Sequence, residues 1–156
     1  MERRAAMRRI LSLILFLLLS GSAGFAAGEE ERRLLLVTDS ASGVTSLSNG
    51  EIHRLFLGLP VEKGGHVLEA VINRSDPFLY EVFLQKIVGM SSIVYERHIL
   101  ANVIQIGGHR PKVFNDTRTL IGALTQNHGT VTVLWDNDAA ASNLSIIGEV
   151  WRGTEK

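Results

Sequence analysis

The chain has 156 residues, with 16 Lys and Arg against 16 Asp and Glu, five His, 46% hydrophobic residues and no cysteine. That length suits one domain of roughly 100–150 residues rather than two full-sized ones. The missing cysteines exclude disulfide scaffolds, thiol catalysis and Cys-based zinc sites. The balanced charge argues against a nucleic-acid binder, which needs a basic domain.

The first 26 residues read as a secretory signal peptide. Arg3, Arg4, Arg8 and Arg9 form a positive region, Ile10 to Leu19 an apolar one broken only by Ser12, and Gly24-Phe25-Ala26 a small-residue cleavage site before Ala27. A transmembrane anchor is the other reading, but the apolar stretch is about half of the roughly 20 residues a span requires. No cysteine follows for lipoprotein processing, and Arg8-Arg9 lacks a twin-arginine context. The leader holds four of the basic residues and one of the acidic ones, so residues 27–156 form an acidic domain. A domain of that size buries enough surface to fold without disulfides, even in an oxidising compartment.

Leu34-Leu35-Leu36-Val37 reads as a buried strand leading into the polar loop from Thr38 to Gly43. Ser48 and Glu51 form a capping box, Ile52, Leu55 and Phe56 give a helical stripe, and Gly58 suits its stop. His66 to Asn73 reads as a second buried strand. Asp76-Pro77 starts a helix as N-cap and N1, with Leu79, Val82, Phe83 and Ile87 facing inward and Gly89 at its end. A third helix is expected from Ser92 to Val103. A fourth is capped by Asn115 or Asp116, buries Leu120, Ile121 and Leu124, and stops at Gly129. Thr130 to Trp135 is a strand, Asp136-Asn137-Asp138 a turn, and Ser145 to Trp151 a final strand. The pattern, βα, βα, α, α, β, β, predicts one α/β domain.

Chemistry-bearing motifs are few. The five histidines are scattered rather than set at metal-ligand spacings, and no phosphate-binding glycine loop is present. Ser40-Ala41-Ser42-Gly43 lacks the leading glycine of a nucleophile elbow. Arg74-Ser75-Asp76 lies where a strand ends and a helix begins, a position that attracts anions. Arg74 there can grip an oxyanion through its guanidinium fork, and Ser40 and Ser42 end another strand, where ligands of open α/β sheets bind. The plainer reading, favoured by spacing alone, is that Asp76 caps its helix and Arg74 pairs with a surface carboxylate.

The stretch Leu47-Ser48-Asn49-Gly50-Glu51-Ile52-His53-Arg54-Leu55-Phe56-Leu57-Gly58, the strand Gly65 to Asn73 and Arg74-Ser75-Asp76, taken in order, resemble small exported proteins similar to phosphate-type ABC-transporter substrate-binding proteins. Phe83, Gly89 and the Thr38 to Ser42 strand and loop fit the same pattern, so the resemblance runs from Leu34 to Leu134. It implies a periplasmic-binding-protein-like three-layer α/β sandwich with a mixed sheet over residues 27–156. It also implies an oxyanion site in which Arg74 is the electrostatic anchor, Ser75 with Ser40 or Ser42 the hydroxyl donors, and Asp76 a cap that accepts from a protonated ligand. Where the receptors continue with Gly-Ser-Gly-Thr, this chain has Pro77-Phe78-Leu79-Tyr80, which lacks a backbone donor at Pro77 and hydroxyls at Phe78 and Leu79. Gly129 to Val133 likewise replaces the family's Gly-Ala-Ile-Gly-Tyr. The receptors are two-lobed, and this chain has material for one lobe.

The expected function is therefore an exported, non-enzymatic solute-binding-like domain with weak oxyanion binding, linked to ABC-type uptake in the periplasm or outside the cell. The alternative is an envelope protein–protein interaction module that keeps the fold without the ligand. A serine hydrolase using Ser40 or Ser42 is a third reading, requiring a carboxylate-oriented His on the hydroxyl. The implied partners are an inorganic oxyanion, an ABC transporter or envelope protein, and a second copy of the chain. The membrane enters only during export, with no metal, cofactor or nucleic acid implied. Mass spectrometry of the secreted protein should find a chain beginning near Ala27. An intact chain retained in the membrane fraction would establish the anchor instead.

Overall fold

The structure, a computed structural model, describes residues 31–154; the expected leader and cleavage site lie outside them. β1 (Arg32–Asp39) carries Leu34, Leu35, Leu36 and Val37, all buried, so both faces of this strand are covered. The continuous apolar run follows from that position, since a strand at a surface would alternate. β1 lies antiparallel between β6 (Thr130–Trp135) and β7 (Leu144–Gly153). β6 is followed across the sheet by β4 (Glu69–Asn73) and β5 (Lys112–Phe114), which run parallel to it, giving the order β5-β4-β6-β1-β7.

Alternate side chains of this mixed sheet feed two cores. Leu34, Leu36, Ile72, Val131 and Val133 join one with α1 (Asn49–Phe56), α2 (Pro77–Phe83) and α3 (Ser92–Ile106). Leu35, Val37, Val71 and Leu134 join the other with α4 (Thr117–Gln126) and the short α5 (Asp136–Ala140). Helices on both faces make the expected three-layer sandwich. The Ser48–Glu51 capping box forms, Asp76 and Asp116 cap α2 and α4, and Gly89 and Gly107 close their helical segments in the left-handed conformation.

The structure corrects several sequence expectations. The strand expected over His66 to Asn73 breaks at Leu68. Its first residues, β3 (His66–Val67), pair with β2 (Glu62–Lys63) in a hairpin turned by Gly64-Gly65, both at positive φ. β5 was not expected, because three residues are too few to show alternation. The third helix continues to Ile106, and the fourth ends at Gln126, with the Asn127 side chain donating back to Ala123. Asp136-Asn137-Asp138 opens a helical turn rather than a plain turn, and α2 continues through a π-helical turn from Leu84 to Val88.

α1 and α3 are tied by polar groups as well as by packing. The Tyr95 hydroxyl donates to the Phe56 carbonyl at 2.6 Å, and Asn102 Nδ2 donates to the Leu57 carbonyl at 2.9 Å. Both carbonyls belong to a helix end that leaves acceptors unsatisfied. Burial, with the Glu96 carboxylate nearby, holds the Tyr95 phenol protonated, pushing its pKa well above the ordinary value. Just beyond, Gly58 (φ +73°) accepts from the His109 N–H at 3.0 Å; a Cβ on Gly58 would overlap the His109 carbonyl, and one on Gly108 would sit 2.7 Å from the Gly58 oxygen. Gly58→Ala should therefore lower stability by more than about 1 kcal/mol. Gly50→Ala, in a helix with open space around it, should raise stability by up to about 1 kcal/mol. Urea midpoints at unchanged m-value would read both.

Candidate functional site

Parallel β4, β5 and β6 point their carboxyl ends to one rim of the sheet, the side on which open α/β sheets bind ligands. Arg74, Ser75 and Asp76 follow β4 there, and α4 brings Thr117 to the same rim. Ser75 Oγ accepts from Thr117 Oγ1 at 2.9 Å and donates to Asn73 Oδ1 at 2.7 Å. Asn73 is buried; its Oδ1 also accepts from the Ser75 N–H, and its Nδ2 donates to the Val133 carbonyl. A buried amide thus fixes a pair of hydroxyls between the first turns of α2 and α4.

Arg74 lies beside this pair. Its Nη2 donates to the Tyr80 hydroxyl at 2.7 Å and to Glu96 Oε1 at 2.6 Å, and its guanidinium carbon sits 4.5 Å from the centre of the Tyr80 ring. The side chain is 30% exposed, while Nε is buried without a hydrogen-bond partner among the described residues. Glu96 is shared with Arg110, whose Nη2 donates to Oε2 at 2.9 Å, so the three charges leave one net positive charge at the rim.

Asp76 has no capacity left for a ligand. Oδ1 accepts from the Phe78 and Leu79 N–H groups, and Oδ2 accepts from Trp135 Nε1 at 2.7 Å and Arg32 Nη2 at 3.2 Å. Burial pushes this carboxyl up, but the bonds from Trp135, Leu79, Arg32 and Phe78 outweigh it and hold its pKa below the ordinary value. The helix N–H groups that would attract an anion are spent on this cap. The expected role of accepting from a protonated ligand is therefore corrected to a structural one.

Ser40 and Ser42 do not join this site, because β1 runs antiparallel to β4 and β6. They sit at the opposite rim, separated from Arg74 by the length of β4, about 16 Å at roughly 3.3 Å per residue. Ser42 is buried: its Oγ donates to the Asp39 carbonyl and accepts from the Val44 N–H. Ser40 Oγ reaches the Asn143 carbonyl at 3.5 Å. His128 Nδ1 lies 2.9 Å from Asp39 Oδ1, so a carboxylate does orient a histidine there, yet neither serine hydroxyl bonds the imidazole among the described contacts. Burial raises the Asp39 pKa, but bonds from His128, Gly129 and Ala41 lower it more. Thr117 was missed in the sequence; Asp116-Thr117, a cap followed by a hydroxyl at a helix start, was the available signal.

Among the described residues, no cluster of three or more His, Asp or Glu side chains is placed to hold a metal, and no helix is long and apolar enough to cross a membrane. A cavity of about 270 Å³ lies away from the rim, between α1 and the start of β4, and is lined by Leu59, Pro60, Val67, Leu68 and His109 among others.

No protein-family model matches the chain, and no curated protein matches it in sequence. Solved structures do. An ABC-type phosphate transport receptor from Vibrio cholerae superposes with a TM-score of 0.55 at 11% identity, covering 75% of this chain and 46% of that one. PstS from Borrelia burgdorferi superposes with the same score at 10% identity, covering 76% of this chain and 47% of that one. The fold is that of a single periplasmic-binding-protein-like lobe, and the match spans less than half of each receptor.

Replacing Asp76 with Ala strands the Trp135 Nε1–H and two helix N–H groups and should cost about 2–4 kcal/mol. Because its folded pKa is lowered, the Asp76 contribution is fully present above the unfolded value near 3.8 and is lost as pH falls through the folded one. The Asp76→Ala variant should therefore show a shallower loss of stability below pH 4 than the parent, measured by urea unfolding across acid pH.

Proposed function

We propose that this protein is an exported, non-enzymatic solute-binding-like lobe that takes a tetrahedral oxyanion of the phosphate type, weakly, at the rim formed by Arg74, Ser75 and Thr117. The observation that carries this reading is the Ser75–Thr117 hydroxyl pair, fixed by buried Asn73 beside the Arg74 guanidinium at the carboxyl ends of three parallel strands. An oxyanion needs hydroxyl donors and an arginine fork, and a ligand here has to turn the two hydroxyl protons away from Asn73 and from Ser75. The likeness to transport receptors supports the class of function, and the apolar region at 10–19 supports export to the periplasm or beyond, with an ABC transporter as the downstream partner. Weak binding follows from geometry: one lobe covers a ligand on one side only, and Glu96 competes for Arg74.

A second reading, an envelope interaction module without a ligand, draws on Asp76, whose saturation by internal donors removes one ligand contact of the expected site.

Calorimetric titration with inorganic phosphate and with sulfate separates the two. Binding should weaken roughly tenfold or more in Arg74→Ala, through loss of a charge-assisted bond. It should strengthen in Glu96→Gln, which releases the guanidinium while the amide keeps the shape. No heat and no thermal shift at millimolar anion would leave the interaction module standing. Undiminished binding in Arg74→Ala would move the site elsewhere.

A further inference from the structure

The Glu96 carboxylate holds two arginines that come from separate segments of the chain. Oε1 accepts from Arg74 Nη2 at 2.6 Å, and Oε2 accepts from Arg110 Nη2 at 2.9 Å. Arg74 follows β4, Arg110 belongs to the loop between α3 and β5, and Glu96 stands in the second turn of α3. One carboxylate bonded in this way marks a point on which two guanidiniums converge. Hydroxyls lie beside it: the Tyr80 oxygen, which takes the other Arg74 bond, is 3.4 Å from Ser92 Oγ.

Two observations suit this cluster to an anion from solution. Both Arg74 bonds leave from Nη2, while its Nε is buried without a hydrogen-bond partner among the described residues. Buried donors are nearly always satisfied, so Arg74 keeps donor capacity that its internal partners do not use. The second is exposure. Glu96 is 36% exposed and Arg110 66%, and the Arg110 side chain bonds only Glu96. Ion pairs this open are weak and screened by salt, so the carboxylate can be displaced readily.

Charge gives the reason for displacement. A divalent oxyanion is neutralised by two cations, and Arg74 supplies one. Arg110 is the cation that the structure already sets against the same anion as Arg74. We propose that Arg110 is a second anion-holding residue of the rim, and that Glu96 is an internal substitute for the ligand, displaced from both arginines when an oxyanion binds. This inference rests on the oxyanion reading and adds to it a second cation and the contact that occupies the arginines beforehand. Two oxygens of a tetrahedral oxyanion are spaced much as those of a carboxylate, so they take the same two guanidiniums. The remaining oxygens are free for hydroxyl donors.

Removing Arg110 alone decides nothing, because Glu96 would then fall wholly to Arg74 and weaken binding by competition. The deciding comparison is made without that competitor. Glu96→Gln and Glu96→Gln/Arg110→Gln, in the full chain, are titrated calorimetrically with inorganic phosphate and with sulfate. The double variant should bind roughly tenfold more weakly than Glu96→Gln, the loss of one charge-assisted bond. Arg97 is the control: it is exposed, one residue from Glu96, and none of the ion pairs among the described residues involves it. Glu96→Gln/Arg97→Gln should stay within about twofold of Glu96→Gln at physiological salt, where charges out of contact are largely screened. Unchanged urea midpoints check that the exposed substitutions leave the fold intact.

Equal affinity with and without Arg110 in the Glu96→Gln background overturns the proposal and leaves the oxyanion reading standing. So does a loss with Arg97→Gln as large as that with Arg110→Gln, since a diffuse field would account for both. Equal affinity in the parent and in Glu96→Gln overturns the displacement of Glu96. No binding of either anion by the parent or by Glu96→Gln removes the oxyanion reading, and this proposal with it.

Discussion

The Asp76 carboxylate is the joint on which this lobe closes. It caps α2, receives the indole N–H at the end of β6, and holds Arg32 at the start of β1. Arg32 in turn lies over the Trp135 ring at 3.9 Å, and Trp135 contacts Phe78 and Trp151. One side chain thereby fixes the angle between a helix and two strands remote from it in sequence. The chemistry that suits an aspartate to hold a ligand at a helix start also suits it to this role, and here internal donors have filled every acceptor position. What remains for a ligand is the neighbouring pair of hydroxyls and the guanidinium, all held by neutral or shared partners.

A second constraint acts on the other side of the same core. The C-terminal carbonyls of α1 are received by Tyr95 and Asn102, and the Gly58–Gly108 crossing brings two loops into backbone contact. These contacts decide which face of α3 turns inward. The helix sequence itself does not, because both of its sides are apolar. Ile93, Leu100 and Ile104 thus stand exposed as the remainder after two polar anchors have chosen the inner face.

Local rules made much of this fold legible in the sequence. Ser48–Glu51, Asp76–Pro77 and Asp116 mark helix starts because capping is settled within four residues. Thr130 to Trp135 is legible because both its faces are buried. β5 was not, since Lys112 to Phe114 becomes a strand only because β4 offers it an edge. α5 hid behind Asp-Asn-Asp, a signature of turns and of first helical turns alike. In the candidate site, Arg74 and Ser75 were legible from their position after a strand, whereas Thr117 comes from 42 residues away and Ser40 and Ser42 were joined to them only because strand direction is not written in local pattern. Direction is a property of the assembled sheet.

The place of β1 has a consequence for how the chain becomes a protein. Its hydrogen-bonding partners, β6 and β7, come after β4 and β5 in the sequence, so the strand at the centre of the antiparallel half waits, unpaired and apolar, until they are made. Sheets closed by such distant pairings fold slowly, because loop-closure entropy is spent before the contacts that reward it. Any process that must handle the polypeptide in extended form has that interval in which to act. The order of strands in space sets a clock on the chain in time.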